Sequence, residues 1–116
     1  MHKFIVLLKR KPGTTQEEFI NHYNNVHVTL AKKLFPRLVK RHIRNFPTNE
    51  IDAPYDAICE IWCESEQYLK EFIHMREKDP ENEKLKILHE DELKFLDINQ
   101  IIFVPVNEYI TDFTAE

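Results

Sequence analysis

The chain has 116 residues, 42% apolar and 31% charged, which suits one small folded domain over residues 1–116 and is too apolar for disorder. Its formal charge is −4 with the signs interleaved, so no basic footprint for nucleic acid is present. It holds a single glycine, Gly13, where average usage of about 7% would give roughly eight, which excludes glycine-rich phosphate loops and dinucleotide fingerprints.

Phe4 to Leu8 is a continuous apolar run, short enough for a strand and apolar on both faces. Pro12-Gly13 signals a turn, and Thr15 followed three residues later by Glu18 is a capping box that opens a helix. Phe19, Tyr23, Val26, Leu30 and Leu34 recur at spacings of three or four, which predicts one apolar stripe ending before Pro36. Residues 39–46 read as a more polar strand and residues 47–54 as a loop. Tyr55 to Cys63 alternates as a third strand, with Ala57, Cys59, Ile61 and Cys63 on one face and Asp56, Ile58, Glu60 and Trp62 on the other. Ser65 caps a second helix with Leu69, Phe72 and Ile73. Asp79-Pro80 opens a short third helix with Leu85, Leu88, Leu93 and Leu96. Ile98 to Val106 closes the pattern as a strand, at a sheet edge because of Pro105.

The order predicts an α+β, ferredoxin-like βαββαβ fold with a four-stranded antiparallel sheet and an extra short helix. Helices on one sheet face leave the other bare, yet the first strand is apolar on both sides. A second copy of the chain is expected to cover it, giving a homodimer by sheet-to-sheet packing. Cys59 and Cys63, four residues apart on a strand, are separated by about 13 Å, beyond the roughly 7 Å that a disulfide spans. Lys3 and Lys9 leave too short an apolar stretch for a leader or a membrane span, so a cytoplasmic protein without membrane contact is expected.

Several segments together resemble one family: Leu7-Leu8-Lys9-Arg10-Lys11-Pro12-Gly13, Glu18-Phe19 through Asn25-Val26-His27, Pro36, Asn45, Pro54-Tyr55-Asp56, Glu60-Ile61-Trp62, and Asp91-Glu92 through Phe95-Leu96-Asp97. Their order is similar to the EthD family of the dimeric α/β-barrel superfamily. That resemblance implies a ligand pocket between sheet and helices of each subunit. Phe4, Val6, Leu8, Ala57, Cys59 and Ile61 from the strands would face Phe19, Tyr23 and Val26 of the first helix. His42 stands where tyrosine is common and Ala57 where glycine is, so the polar lining differs from the family pattern.

The resemblance further implies a lyase or cyclase-type enzyme working without metal or organic cofactor on a small aromatic or polyketide-like molecule, by dehydration, cyclisation or decarboxylation. The alternatives are a non-catalytic small-molecule-binding or accessory protein, and a cofactorless or haem-using monooxygenase. His27, beside the helix stripe, is the candidate proton carrier, since imidazole holds or releases a proton near neutrality. The plainer alternative is a helix-edge histidine bonded to a neighbouring loop. Tyr23 would orient the substrate or merely pack in the core, and His42 is a candidate substrate contact. His22, five residues before His27 and so not its neighbour on an α-helix, is expected to face solvent. Asp56 and Glu60 are read as polar residues of the dimer interface, and no metal-ligand spacing appears.

Overall fold

In this computed structural model, residues 2–79 and 81–114 are described. β1 (His2–Leu8) lies inside the sheet, pairing antiparallel with β3 (Ala57–Cys63) on one side and β4 (Ile102–Val106) on the other. β2 (Arg41–Asn45) pairs with the far edge of β3, giving the order β2-β3-β1-β4. This is the antiparallel ferredoxin-like sheet that the element order predicts. β4 is an edge strand, where Pro105 can lack an N–H without breaking a central ladder.

Register decides which side chains enter the core. Val6 stands opposite Cys59 and Phe103, and Phe4 opposite Ile61. Alternation then sends Phe4, Val6, Leu8, Ala57, Cys59 and Cys63 to the helix-covered face, where all six are buried. Both cysteines are free thiols. The outer face carries Ile5, Leu7, Ile43, Ile58, Trp62, Ile102 and Val104 by the same alternation. Three of them, Ile58, Ile102 and Val104, stay about two-fifths exposed.

Two charged residues of this outer face find partners inside the chain. Lys3 is buried between the carboxylates of Glu60 and Glu108, with its ammonium 4.7 Å from the Trp62 ring centre. Asp56 accepts a hydrogen bond from the Arg10 backbone N–H at 2.8 Å, tying the end of β1 to the loop before β3. Asp56 and Glu60, expected as polar residues of the dimer interface, thus also have partners within the chain, as half-buried charges require.

The turn after β1 uses Gly13 at φ +89°, a conformation costly for residues with a Cβ. α1 (Gln16–His22) begins at a complete capping box: Thr15 Oγ1 accepts from the Glu18 N–H at 3.1 Å, and Glu18 Oε1 accepts from the Thr15 N–H at 3.0 Å. Thr15→Ala is expected to cost about 1 kcal/mol, read as a lower urea midpoint with unchanged slope.

α1 runs directly into a π-helical turn (Tyr23–His27) and then α2 (Val28–Leu34). Within the turn the Val28 N–H donates to the Tyr23 carbonyl, five residues back. The turn holds more residues than an α-helical one, so the inward face passes from Tyr23 to His27. The predicted stripe breaks there, and Val26 turns outward at 45% exposure.

α3 (Glu66–Lys78) starts at Ser65, whose hydroxyl accepts from the Tyr68 N–H. α4 (Glu83–Phe95) starts later than Asp79-Pro80 suggests, because Asn82 Oδ1 caps the Lys84 and Leu85 N–H groups. Pro80 lies outside the described residues. α4 is as long as α3, 13 residues each, so the third helix is not short. Leu85, Leu88 and Leu96 are buried, whereas Leu93 is exposed. Ile98–Gln100 forms a 3-10 turn rather than strand. No helix of the described residues is long and apolar enough to cross a membrane.

Candidate active site

Between the inner sheet face and the helices lies a partly open cavity of about 200 Å³. Phe4, Val6 and Leu8 of β1, Ile61 of β3 and Phe103 of β4 give it an apolar floor, closed on the helix side by Phe35, Leu88 and Phe72. Three polar side chains interrupt this lining at one end: Tyr23, His27 and His42.

His27 is held from behind. Its Nδ1 lies 2.9 Å from Asp91 Oδ2, and His22 Nε2 lies 2.9 Å from Asp91 Oδ1. An ionised carboxylate only accepts, so both imidazoles donate to it, and the proton of neutral His27 sits on Nδ1. Nε2 then carries a lone pair and has no hydrogen-bond partner among the described residues. The ring is further fixed against Phe95, with centres 4.9 Å apart, and edge-on to Tyr23 at 5.8 Å. Burial pushes the His27 pKa down, and Asp91 and Glu92 push partly back, so the group is a neutral base near pH 7.

Beside His27 stands a chain of neutral groups. Tyr23 Oη is 2.9 Å from His42 Nε2 and 3.2 Å from Cys59 Sγ. Burial raises the Tyr23 and Cys59 pKa values and lowers that of His42 to about 4, the last aided by the charge of Arg44. The two contacts are mutually consistent when the Cys59 thiol donates to Tyr23 Oη and the tyrosine hydroxyl donates to His42 Nε2. His42 then carries its proton on Nδ1, a donor without a partner among the described residues, and Tyr23 Oη keeps one lone pair.

The structure brings seven of the candidate residues to the cavity: Phe4, Val6, Leu8, Tyr23, His27, His42 and Ile61. Phe19, Ala57 and Cys59 are fully buried behind it in the core, and Val26 is outside. His22 is corrected from a solvent-facing residue to a partner of Asp91, stacked on Phe95 at 4.7 Å. Two histidines five apart cannot share a partner on a regular α-helix; the π-helical turn beginning at Tyr23 lets them.

Asp91 is the residue that the sequence reading passes over. Its signal was available: it sits three residues after Leu88 and four before Phe95, on the buried face of α4, where a carboxylate demands a partner. Glu92 lies beside it, 3.4 Å from His89 and 3.7 Å from Arg76. Among the described residues no three His, Cys, Asp or Glu side chains gather to hold a metal ion.

The sequence pattern of the EthD domain matches residues 11–99, a span that includes the capped helix, His27, the β3 segment and the Asp91 helix. The chain belongs to the EthD family. No curated protein matches the sequence. Among solved structures, this EthD chain is similar to an ethyl tert-butyl ether d (ethd) family protein from Bacillus halodurans c-125, at 21% identity and TM-score 0.61, covering 94% of this chain and 100% of that one. HapK from Hahella chejuensis gives TM-score 0.64 at 14% identity over 100% of both chains. A dimeric ferredoxin-like protein of unknown function from Thermobifida fusca yx gives 0.56 at 13% identity, covering 90% of this chain and 88% of that one. At these identities the likeness is one of fold, and the EthD chain's own side chains must carry the argument about chemistry.

Proposed function

We propose that this EthD protein is a cofactor-independent lyase or cyclase-type enzyme acting on a small aromatic or polyketide-like molecule. The observation that carries the reading is the Asp91–His27 pair in the wall of an apolar cavity, with the second imidazole nitrogen of His27 unpartnered among the described residues. His27 Nε2 would take a proton from a carbon next to the substrate carbonyl. The electron pair left behind moves toward the carbonyl oxygen, and the His42 Nδ1–H donates to the charge that develops there. Tyr23 Oη accepts from a substrate hydroxyl and so turns the ring. In a dehydration the pair returns to form the new double bond, the C–O bond breaks, and His27 delivers its proton to the departing hydroxide as water. Asp91 holds the imidazole in the required tautomer and stabilises its charged form.

The second reading is a binding or accessory protein that uses the same cavity. Product analysis by mass spectrometry across a panel of hydroxylated aromatic ketones, with binding followed by NMR in the same samples, separates the two. Turnover supports the enzyme; saturable binding with unchanged ligand throughout supports the accessory protein.

We also infer a homodimer through the outer sheet face. Exposed Ile58, Ile102 and Val104 form part of an apolar surface there. Trp62 Nε1 on the same face is buried without a hydrogen-bond partner among the described residues. The dimeric ferredoxin-like relative supports the same assembly. Light scattering at micromolar concentration is expected to give the mass of two chains, and Ile58→Asp the mass of one. A monomeric mass for the unmodified chain would remove the inference.

A further inference from the structure

Beyond β4 the chain leaves the body of the molecule. Residues 107–114 form no helix or strand, and all of them are exposed. Tyr109, Ile110 and Phe113 stand 92%, 74% and 94% exposed, far more than the apolar side chains of the outer sheet face. Tyr109 to Thr114 make no backbone hydrogen bond to the rest of the described chain. The segment is nonetheless rich in β-forming residues, and in extended backbone Tyr109 and Phe113 share one side. Three large apolar side chains held together in water mark a surface that something else covers.

The root of the segment points to what covers it. Val106 stands opposite Lys3, Lys3 opposite Trp62 and Trp62 opposite Arg41, so the chain leaves the sheet level with the start of β2 at the other edge. Glu108 is tied there by Lys3, beside the unpartnered Trp62 Nε1, on the face inferred as the dimer interface. In a face-to-face pair with its two-fold axis along the strands, β4 of one copy lies over β2 of the other at about 10 Å. Eight extended residues span about 27 Å, enough to cross that gap and reach the helix side of the facing copy. There, close to the start of β2, Leu34, Phe35, Leu38, Tyr68 and Met75 line an open, largely apolar groove of about 300 Å³.

We propose that residues 107–114 are an arm that docks on a second copy of this chain, with Phe113 in that copy's groove. This rests on the reading of the outer face as a homodimer interface. Each copy gives an arm and receives one, as a two-fold contact requires. Phe35, Leu38 and Phe72 line both the groove and the reaction cavity, so the arm of one copy backs the cavity of the other.

The test is sedimentation across a dilution series. Tyr109→Ser/Ile110→Ser/Phe113→Ser is expected to raise the dimer dissociation constant by about 100-fold or more, the scale of losing several buried apolar side chains. The circular dichroism spectrum should be unchanged, because these side chains are exposed in their own chain. A nitroxide on Phe113→Cys, in chains mixed with methyl-labelled protein free of nitroxide, should broaden the Leu34 and Met75 methyl signals of the second copy. Cys59 and Cys63 are buried, and the unmodified chain treated with the same reagent is the control. A dimer of unchanged affinity in the triple variant overturns the arm and leaves the homodimer standing. A weakened dimer without broadening at Leu34 and Met75 overturns the groove as the docking site. A monomeric unmodified chain overturns both the arm and the homodimer.

Discussion

Replacing His27 with alanine is expected to lower turnover by about 10²–10⁴-fold, the usual worth of a positioned acid–base group, with KM changed much less. Asp91→Asn should approach that loss for a different reason. The asparagine oxygen can accept from one imidazole, but its NH₂ group cannot accept from the other, and the negative charge that stabilises protonated His27 is gone. The substitution has a second readout that needs no substrate. Asp91 is one of the groups that raise the His27 pKa against the opposing effect of burial, so His27 should titrate at still lower pH in the variant, followed by NMR of the imidazole resonances. Full turnover in His27→Ala would remove the assignment of the base. An unmoved titration in Asp91→Asn would remove the pairing.

Acid is expected to destabilise the fold through His42. Burial is the main cause that lowers its pKa from 6.5 to about 4, with Arg44 and His27 adding repulsion. Between those values the unfolded chain binds a proton that the native protein refuses. The stabilisation is therefore complete above about pH 6.5 and falls steadily as the pH drops toward 4, by about 3 kcal/mol in all. His27 is shifted in the same direction and adds to the slope. Urea unfolding at pH 7, 6, 5 and 4.5 on the unmodified protein and on His42→Gln isolates the contribution, because the carboxylates common to both cancel in the difference. The curves should converge toward acid pH, and parallel curves would refute the assignment. The same protonation would cost Tyr23 its acceptor, so binding at the inner end of the cavity should weaken over the same range.

The parts of this molecule that follow from short-range rules were legible in the sequence. The alternation of β3 places Ala57, Cys59, Ile61 and Cys63 together because the period of a strand is two, and the Thr15–Glu18 box marks a helix start because both partners lie within four residues. Pro105 on an edge strand and Gly13 at positive φ are equally local. Side-chain pairs set by the closure of the fold were not legible. Lys3 reaches Glu60 and Glu108, 57 and 105 residues away, and these partners make a buried lysine tolerable on a largely apolar face. Asp91 reaches His22 and His27 across more than sixty residues. The helix stripe misled at Val26 because a constant angle per residue was assumed through a segment whose hydrogen bonds run five residues back.

That segment also changes what counts as a substitution at the site. A π-helical turn stores an additional residue in a helix that keeps its hydrogen bonds on both sides. Removing one residue from Asn24–Val26 would let the backbone relax into an ordinary α-helix with the two histidines four apart, the spacing at which side chains share a face, so both would still reach Asp91. Straightening the turn with all its residues kept would instead rotate everything upstream by about 100° relative to α2 and take one imidazole from the carboxylate. The site is thus written in the length of the helix as well as in its letters. Among relatives, a gap of one at this place is expected to go with a regular helix and both histidine contacts.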